Sequence, residues 1–220
     1  MGKINQGILG GFQNKVGTVV GYFRYGQAIM RGLAGSVSNP RTPAQLAARA
    51  RFSLIQSFTS PVVGFANVTL RRLANARRMT ASNRLYQLIN ASGAVQGTGT
   101  SLTLDYTVIP LSEQVGGGVN PASVAAVAGA GQIVDVTWAD NSGVAPWVLA
   151  SDIVMVCLFN VQKNAATFDV SSATRLDSAL SVAYPSLWSG DTVEVYMVTR
   201  SADGETTISD TLHVASVTLP

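Results

Sequence analysis

The sequence contains few of the residues that most often carry chemistry. Its 220 residues include one cysteine, Cys157, and one histidine, His213. A single cysteine excludes an intrachain disulfide, and a single histidine leaves little for metal binding or acid–base catalysis. Cys157 lies in an apolar stretch typical of a buried thiol, and His213 lies in an expected terminal strand as a structural residue. We therefore expect a protein that is not an enzyme and that has no catalytic residue, cofactor, metal or small-molecule substrate.

Charged residues are also scarce. Asp, Glu, Lys and Arg make up 12% of the chain, about half of the roughly 25% usual in soluble proteins. An ordinary charged monomer surface is hard to build from this composition, so we expect much of the surface to be covered by other molecules. The longest apolar run, residues 153–161, is shorter than the roughly 20 residues of a membrane span, and no apolar signal core follows Met1. We expect no membrane span or classical signal peptide, and a cytoplasmic or virion- or particle-associated location.

The first 84 residues contain no Asp or Glu, although they contain twelve basic residues, ten of them arginine. After Arg84, three basic residues stand against twelve acidic ones, so the two parts carry formal charges of +12 and −9. We expect phosphate, an acidic protein face or the acidic half of a second copy to supply the missing counter-charge, although a solvated basic face is the simpler alternative. The arginines predicted to bind nucleic acid or an acidic partner are Arg41, Arg49, Arg51, Arg71, Arg72, Arg77 and Arg78.

Residues 1–38 carry nine of the 21 glycines. They predict a β ribbon of short strands with a hairpin turn at Tyr25-Gly26. Such a ribbon has too little core to stand alone, so we expect it to dock on another element or another subunit. Aromatic residues beside Arg24 have a pattern that could stack bases, although a hairpin core explains them as well. The predicted assembly residues are Ile8, Leu9, Phe12, Val19, Tyr22 and Phe23.

Residues 39–93 predict a basic helical segment with two or three helices. Thr42-Pro43 is a good helix start, and the helix runs over about 43–58. Ser60-Pro61 repeats this signal and predicts a second helix to about residue 79, followed by a short third helix that stops at Ser92-Gly93. The predicted apolar face of the first helix consists of Leu46, Ala50, Leu54 and Phe58.

The remaining residues predict β-structure. Residues 94–120 predict a linker, one strand over 102–108 and a flexible glycine-rich junction over 116–121. Residues 121–220 predict seven alternating strands, typical of an immunoglobulin or fibronectin type III-like β-sandwich. The predicted strands cover residues 123–128, 133–138, 153–160, 167–170, 179–183, 192–200 and 206–216. The fold class is therefore α+β. Trp138 and Tyr196 are expected in the sandwich core, whereas Trp147 and Trp188 lie in expected loops, as interface anchors or packed over one end of the sandwich.

Several short motifs carry a family resemblance. MGKINQGILGGF at the start, KVGTVVG at 15–21, SNPRTPAQ at 38–45 and VDVTW at 134–138 resemble an uncharacterised protein family common in Bacteroidota. The resemblance spans nearly the whole chain and implies a glycine-rich N-terminus, a fibronectin type III-like C-terminal half and no assigned activity. The close of the chain differs, because Leu212-His213-Val214 stands where a Tyr-Leu-Gly-like ending is expected.

These features favour a structural role. The glycines at 7–11 lack the Gly-Lys-Ser/Thr of a phosphate-binding loop, so they predict backbone packing. Low charge, a dependent ribbon and opposite charges on the two parts predict a non-enzymatic protein that self-assembles into a particle or filament, such as a virion or phage-like component or a cell-associated filament. The alternative is a nucleic-acid-binding protein that contacts phosphates through its basic half, and the two merge if the assembly packages nucleic acid. A third alternative is a carbohydrate-binding module using Trp147 and Trp188.

Overall fold

The computed structural model describes residues 3–8, 11–36, 39–204 and 206–220. The chain divides into two compact units, Met1–Thr42 and Pro43–Pro220. The first unit contains the ribbon, and the second contains the helices and the remaining strands. Helices and antiparallel sheets occur together, so the broad α+β class is confirmed.

The first unit is a four-stranded antiparallel sheet whose strands follow chain order: β1 (Lys3–Ile8), β2 (Phe12–Val16), β3 (Val19–Arg24) and β4 (Gln27–Gly32). Tyr25 and Gly26 connect β3 to β4 with φ angles of 49° and 75°. Two successive positive φ angles are the signature of a type I′ turn, whose twist matches that of the flanking strands. The predicted hairpin turn is confirmed.

Two glycines of the ribbon make room for aromatic rings. A Cβ at Gly21 would lie 2.3 Å from the carbonyl oxygen of Phe12 and 2.7 Å from its ring. A Cβ at Gly11 would lie 2.7 Å from the ring of Phe23. Glycine within a strand often marks such a close approach. These glycines let the two phenylalanine rings lie against neighbouring strands.

The second unit begins with three helices: α1 (Pro43–Thr69), α2 (Arg71–Ala76) and α3 (Ala81–Ala91). The prediction of a helix boundary at Ser60-Pro61 is wrong, because Pro61 lies inside α1. Phe58 and Val62 on either side of it have no exposed surface. This burial outweighs the cost of the hydrogen bond that proline removes from a helix interior.

The core-facing side of α1 also differs from the prediction. Leu46 is exposed, and Ala50 and Leu54 are only partly buried, whereas Phe58 is fully buried as predicted. The buried side consists of Ile55, Phe58, Thr59, Val62, Phe65, Ala66 and Thr69. The first part of α1 therefore lies outside the core. The predicted third helix is confirmed as α3.

A hairpin follows the helices. β5 (Val95–Thr98) pairs with β6 (Ser101–Leu104), so the segment predicted as a linker belongs to the hairpin, and the predicted strand over 102–108 ends early. Residues Tyr106–Val108 form a 3₁₀ turn.

The glycine-rich segment over 116–121 is not a flexible junction. On its N-terminal side, the N–H of Val115 donates to the carbonyl of Ile208 at 2.9 Å, and the N–H of Ile208 donates back at 3.1 Å. A Cβ at Gly118 would lie 2.3 Å from the carbonyl of Ile208, and one at Gly116 would lie 2.3 Å from the carbonyl oxygen of Thr206. The glycines allow this segment to pack directly against the chain after β12 (Thr192–Arg200).

Seven strands follow: β7 (Ala122–Gly129), β8 (Ile133–Ala139), β9 (Ile153–Asn160), β10 (Ala165–Thr174), β11 (Ala179–Ala183), β12 and β13 (Leu212–Thr218). They match the seven predicted strands in number and order, but β10 extends well beyond the predicted 167–170, and the last strand begins at Leu212 rather than at residue 206. They form a four-stranded antiparallel sheet, β10-β9-β12-β13, and a three-stranded antiparallel sheet, β11-β8-β7.

The four-stranded sheet is buried on both faces. Met155 and Cys157 of β9 belong to a cluster with α1 and α3, whereas Val154 and Val156 belong to a cluster with the three-stranded sheet. A strand covered on both sides is expected to be apolar throughout, which accounts for the apolar run over 153–161.

Segments predicted as separate domains share the cluster between the helices and the four-stranded sheet, which we call the helix-side cluster. It contains Ile55 from the segment 39–93, Leu111 from 94–120 and Ile208 from 121–220. The helices and the four-stranded sheet therefore bury each other.

Trp138 and Tyr196 lie on opposite sides of the four-stranded sheet. Trp138 of β8 is 5% exposed and lies between the two sheets, as predicted. Tyr196 is buried, but its hydroxyl donates to the carbonyl oxygen of Tyr106 at 2.9 Å, and its ring centroid lies 6.4 Å from that of Phe58. The prediction that Tyr196 lies in the sandwich core is wrong, because alternation along β12 turns it toward the helices. Burial raises the pKa of Tyr196.

A bulge in β10 is stabilised by Asp169. Its Oδ1 accepts from the N–H of Ser171 at 3.0 Å and of Ser172 at 2.8 Å, and its Oδ2 accepts from the Ser172 hydroxyl at 2.6 Å. Partial burial acts to raise the pKa of Asp169, but the hydrogen bonds from Ser172 and Ser171 outweigh it and lower the pKa below its ordinary value. The charged carboxylate therefore stabilises the fold above its unfolded pKa of about 3.9, and this contribution disappears as the pH falls through the lower folded pKa.

We expect Asp169→Asn to melt a few degrees below the wild-type chain at pH 7, because the charged acceptor is lost. The difference should shrink as the pH falls from about 4 toward 2, where the wild-type carboxylate also becomes neutral. Thermal unfolding followed by circular dichroism across this pH range tests it. A gap that stays constant with pH would show that the charge of Asp169 does not support the bulge.

Candidate functional site

The first candidate is the ribbon surface, formed by exposed large apolar side chains of the first unit. Among residues 11–36, Gly21 alone is buried, so the described part of this sheet has no core of its own. Exposed large apolar side chains that share one face commonly mark a protein–protein contact. The ribbon surface consists of Val16, Tyr22, Phe23, Tyr25, Met30 and Leu33.

Strand pairing divides β3 and β4 into two chemically different faces. Gly21 pairs with Met30 and Phe23 pairs with Ala28, so Phe23 and Met30 lie on one face, which is apolar. Tyr22, Arg24 and Arg31 lie on the opposite face. We call these the apolar face and the basic face of the ribbon.

The predicted assembly residues lie in this unit, with one exception. Phe12 and Val19 are partly buried, whereas Tyr22 and Phe23 are exposed. Ile8 is the last residue of β1. Leu9 lies outside the described residues.

The second candidate is the basic cleft, an open cleft of about 530 Å³ in the second unit. The end of α1, the start of α2, the last residue of β12 and the loop after it form its walls. Its lining residues are Asn67, Val68, Arg71, Arg72, Asn75, Arg200, Gly204 and Ile208.

Among the described residues, no carboxylate lies within salt-bridge distance of the arginines of the basic cleft. Within the described ranges, the guanidinium groups of Arg71, Arg72 and Arg200 make no salt bridge or hydrogen bond, and the buried Nε of Arg200 has no acceptor. A buried donor without an acceptor costs about 1–3 kcal/mol. The carboxylate of Asp203, in the loop after β12, accepts hydrogen bonds from Ser201 and Thr206 instead.

The other predicted arginines are placed differently. Arg51 donates from Nε to the side-chain oxygen of Asn90 at 2.6 Å. Arg77 binds Glu113 at 3.3 Å, and Arg84, which is not in the predicted set, binds the same carboxylate at 2.7 Å. The expectation that only another molecule neutralises the basic part is therefore wrong for these two arginines.

The remaining members of the predicted set do not gather at one site. Arg41, Arg49 and Arg78 are exposed and do not line the cleft. The structure thus brings together only Arg71 and Arg72 of the seven predicted arginines. It adds Arg200, which lies in the acidic part of the sequence and was missed because only tertiary packing places it beside α2.

The two loop tryptophans have different environments. Trp188 is 4% exposed and belongs to the cluster between the sheets, so its prediction as an interface anchor is wrong, and the alternative of packing over the sheets holds. Trp147 is 48% exposed, and its Nε1 donates to the carbonyl of Gly117 at 3.0 Å. Trp147 therefore remains a candidate anchor.

The cysteine and the histidine lie in structural environments. Cys157 is fully buried, and burial raises the pKa of its thiol. Nε2 of His213 lies 2.7 Å from a carboxylate oxygen of Glu194, which also accepts from the Ser216 hydroxyl. Among the residues that the structure describes, no three His, Cys, Asp or Glu side chains are grouped to hold a metal ion. Likewise, no helix in the described ranges is long and apolar enough to cross a membrane.

Comparison with known proteins gives one match that covers most of the chain. A family model described as "Family of unknown function (DUF6266)" matches residues 11–214. No curated protein matches the chain. Among solved structures, the crystal structure of chicken CNTN1 FN1-FN3 domains is similar at 14% sequence identity, with a TM-score of 0.35. The similarity covers 49% of this chain and 36% of that one, so the chain spans about a third of its length.

Proposed function

We propose that this chain, which belongs to the DUF6266 family of unknown function, is a non-enzymatic structural protein that self-assembles through its N-terminal ribbon. The product is a particle or filament, of the kind found in a virion or phage-like component or a cell-associated filament. The supporting observation is a four-stranded sheet that exposes large apolar side chains and has no core of its own in its described residues.

The apolar face is the part of the ribbon that assembly would cover. Met30 is 65% exposed on this face, in a strand that pairs only with β3 among the described residues. Four strands become stable when a hydrophobic face packs against another layer. A second copy supplies such a layer, because two identical apolar faces bury each other as the inner faces of a two-layer sheet. This contact alone closes as a dimer, so growth into a particle or filament uses a second contact, for which the outer edge of β4 offers its backbone hydrogen-bonding groups.

The low charge content supports the same proposal. Charged residues are only 12% of the chain, and protein surfaces buried by neighbours are depleted in charge at their centres. An assembly subunit needs fewer charged side chains than a free monomer, since part of its surface does not meet water.

We also propose that strands β7–β13 form a fibronectin type III-like β-sandwich. Seven antiparallel strands divided into sheets of four and three, with one shared core containing Trp138, support this assignment. The helices on the outer face of the four-stranded sheet make this sandwich part of a three-layer unit.

We expect Met30→Glu to weaken assembly strongly, because it places a charge within the proposed apolar contact. Gln27→Glu is the matched control, since it adds the same charge to the same strand on the basic face. Size-exclusion chromatography with light scattering of both full-length variants gives the measurement. If the wild-type chain assembles and Met30→Glu assembles equally well, the apolar face is not the contact. The same conclusion follows if both variants lose assembly to the same extent.

Nucleic-acid binding is the second candidate function. The basic face of the ribbon favours it, because Tyr22 lies beside Arg24 and Arg31, and single-strand binding combines base stacking with phosphate contacts. Affinity for an arbitrary single strand should then fall steeply with salt. Absence of binding at about 50 mM salt would remove this candidate.

A further inference from the structure

We propose that the basic cleft binds a phosphate group, with Arg71, Arg72 and Arg200 as its principal donors. This inference is independent of ribbon assembly, because every lining residue belongs to the unit Pro43–Pro220.

The backbone holds the central arginine in place. Arg200 ends β12, where it pairs with Ile153 of β9 and bridges Ile208. Arg71 and Arg72 are the first residues of α2, which begins after the fully buried Leu70. Residues on strands and helices are placed more precisely than residues on loops.

The three arginines of the basic cleft indicate that its ligand is an anion. Elsewhere in this unit, Arg77 and Arg84 share the carboxylate of Glu113. In the cleft, three guanidinium groups have no carboxylate or other acceptor in the part of the chain that the structure describes, and the Nε of Arg200 is buried. An external anion would supply the counter-charge and accept hydrogen bonds from the guanidinium groups that line the cleft.

The donor set favours phosphate. A guanidinium group presents planar, paired donors that match phosphate oxygens, and several arginines together suit a group that carries more than one negative charge. The side-chain amides of Asn67 and Asn75 add neutral donors to the same walls. The volume of about 530 Å³ lies within the roughly 300–1,000 Å³ of ligand pockets, so the cleft has room for more than the phosphate itself.

Titration calorimetry of the full chain with sodium pyrophosphate at low salt tests the site. We expect wild-type binding, and a loss of at least about tenfold in affinity for Arg200→Gln, which removes a charged donor. Arg78→Gln is the matched control, because Arg78 is exposed in the turn just after α2 and does not line the cleft. Its affinity should change less than about twofold, since only the general field of the protein is altered.

Two further variants keep the test independent of folding. Arg71→Gln changes an exposed helical residue and should weaken pyrophosphate binding in the same direction as Arg200→Gln. Arg200→Lys retains the charge and should bind more weakly than wild type, because lysine lacks the planar pair of donors. The proposal is overturned if wild type does not bind pyrophosphate, or if Arg78→Gln weakens binding as much as Arg200→Gln does.

The source of the phosphate is distinguished with a short single-stranded DNA. If the oligonucleotide competes with pyrophosphate and loses affinity in Arg200→Gln, the cleft takes a nucleic-acid backbone phosphate. If pyrophosphate binds and the oligonucleotide does not compete, the cleft takes a small phosphate compound. Ribbon assembly is measured separately by particle size. The assembly proposal and the phosphate-binding proposal can therefore fail independently of each other.

Discussion

Trp138→Ala should lower the free energy of unfolding by about 3–5 kcal/mol, the usual cost of removing a buried tryptophan. Trp138 lies between the two sheets, where it is 5% exposed, and its Nε1 donates to the carbonyl of Arg175 at 2.8 Å. The substitution therefore removes packing and leaves a buried carbonyl without its donor. Because a domain is stabilised by only about 5–15 kcal/mol, the variant should unfold at much lower denaturant. Denaturant titration of the full chain gives this value.

Variants of the other two tryptophans serve as controls for the loss of stability in Trp138→Ala. Trp188→Ala should also be strongly destabilising, since Trp188 is part of the same cluster. Trp147→Ala should cost far less, because about half of Trp147 is exposed. If Trp138→Ala is as stable as Trp147→Ala, Trp138 is not buried between the sheets, and β8 does not pack against the four-stranded sheet as described.

Removal of Arg175 should have an effect of similar size. Arg175 is 1% exposed, and its guanidinium group donates to the side chain of Asn141, to the carbonyl of Val119 at 2.7 Å and to Asp152 at 3.3 Å. Asp152 is itself buried. Arg175→Met leaves that carboxylate without its cation, and breaking a buried pair in this way costs about 3–5 kcal/mol.

A double-mutant cycle separates the charge from the rest of the contact. Asp152→Asn removes the stranded charge while keeping an acceptor, so adding it to Arg175→Met should recover part of the lost stability. Denaturant unfolding of the four chains gives the coupling energy, which we expect to exceed about 0.5 kcal/mol for residues in contact. Additive losses would mean that Arg175 acts through Val119 and Asn141 alone.

Local signals in the sequence predict most elements of the second unit. The alternation of apolar and polar residues and the positions of turn residues can be read from short stretches of sequence. The observed limits of β9, β11 and β12 therefore agree with the predicted ones. The limits fail where tertiary burial overrides a local signal. Pro61 is a good helix start by itself, but the buried side of α1 continues through it. Membership of a family of unknown function is likewise confirmed, whereas the Bacteroidota lineage stays a prediction.

The candidate sites show a similar division. The ribbon was predictable because the glycine and aromatic residues that indicate its strands and turns all lie within a few dozen consecutive residues. The basic cleft was not, since Arg200 is more than a hundred residues from Arg71 and Arg72, and no periodic pattern links them. A count of charged residues does not tell which of them are buried. Arg175 and Asp152 therefore look like surface residues in the sequence, although both are in the interior.

Sedimentation velocity of the full chain beside residues 43–220 tests ribbon-driven assembly most directly. The shorter chain keeps both core clusters and is a compact unit, so it should fold and sediment as a monomer. The full chain should sediment as a much larger species at the same concentration. A monomeric full chain, or an equally large species without the ribbon, would contradict the account.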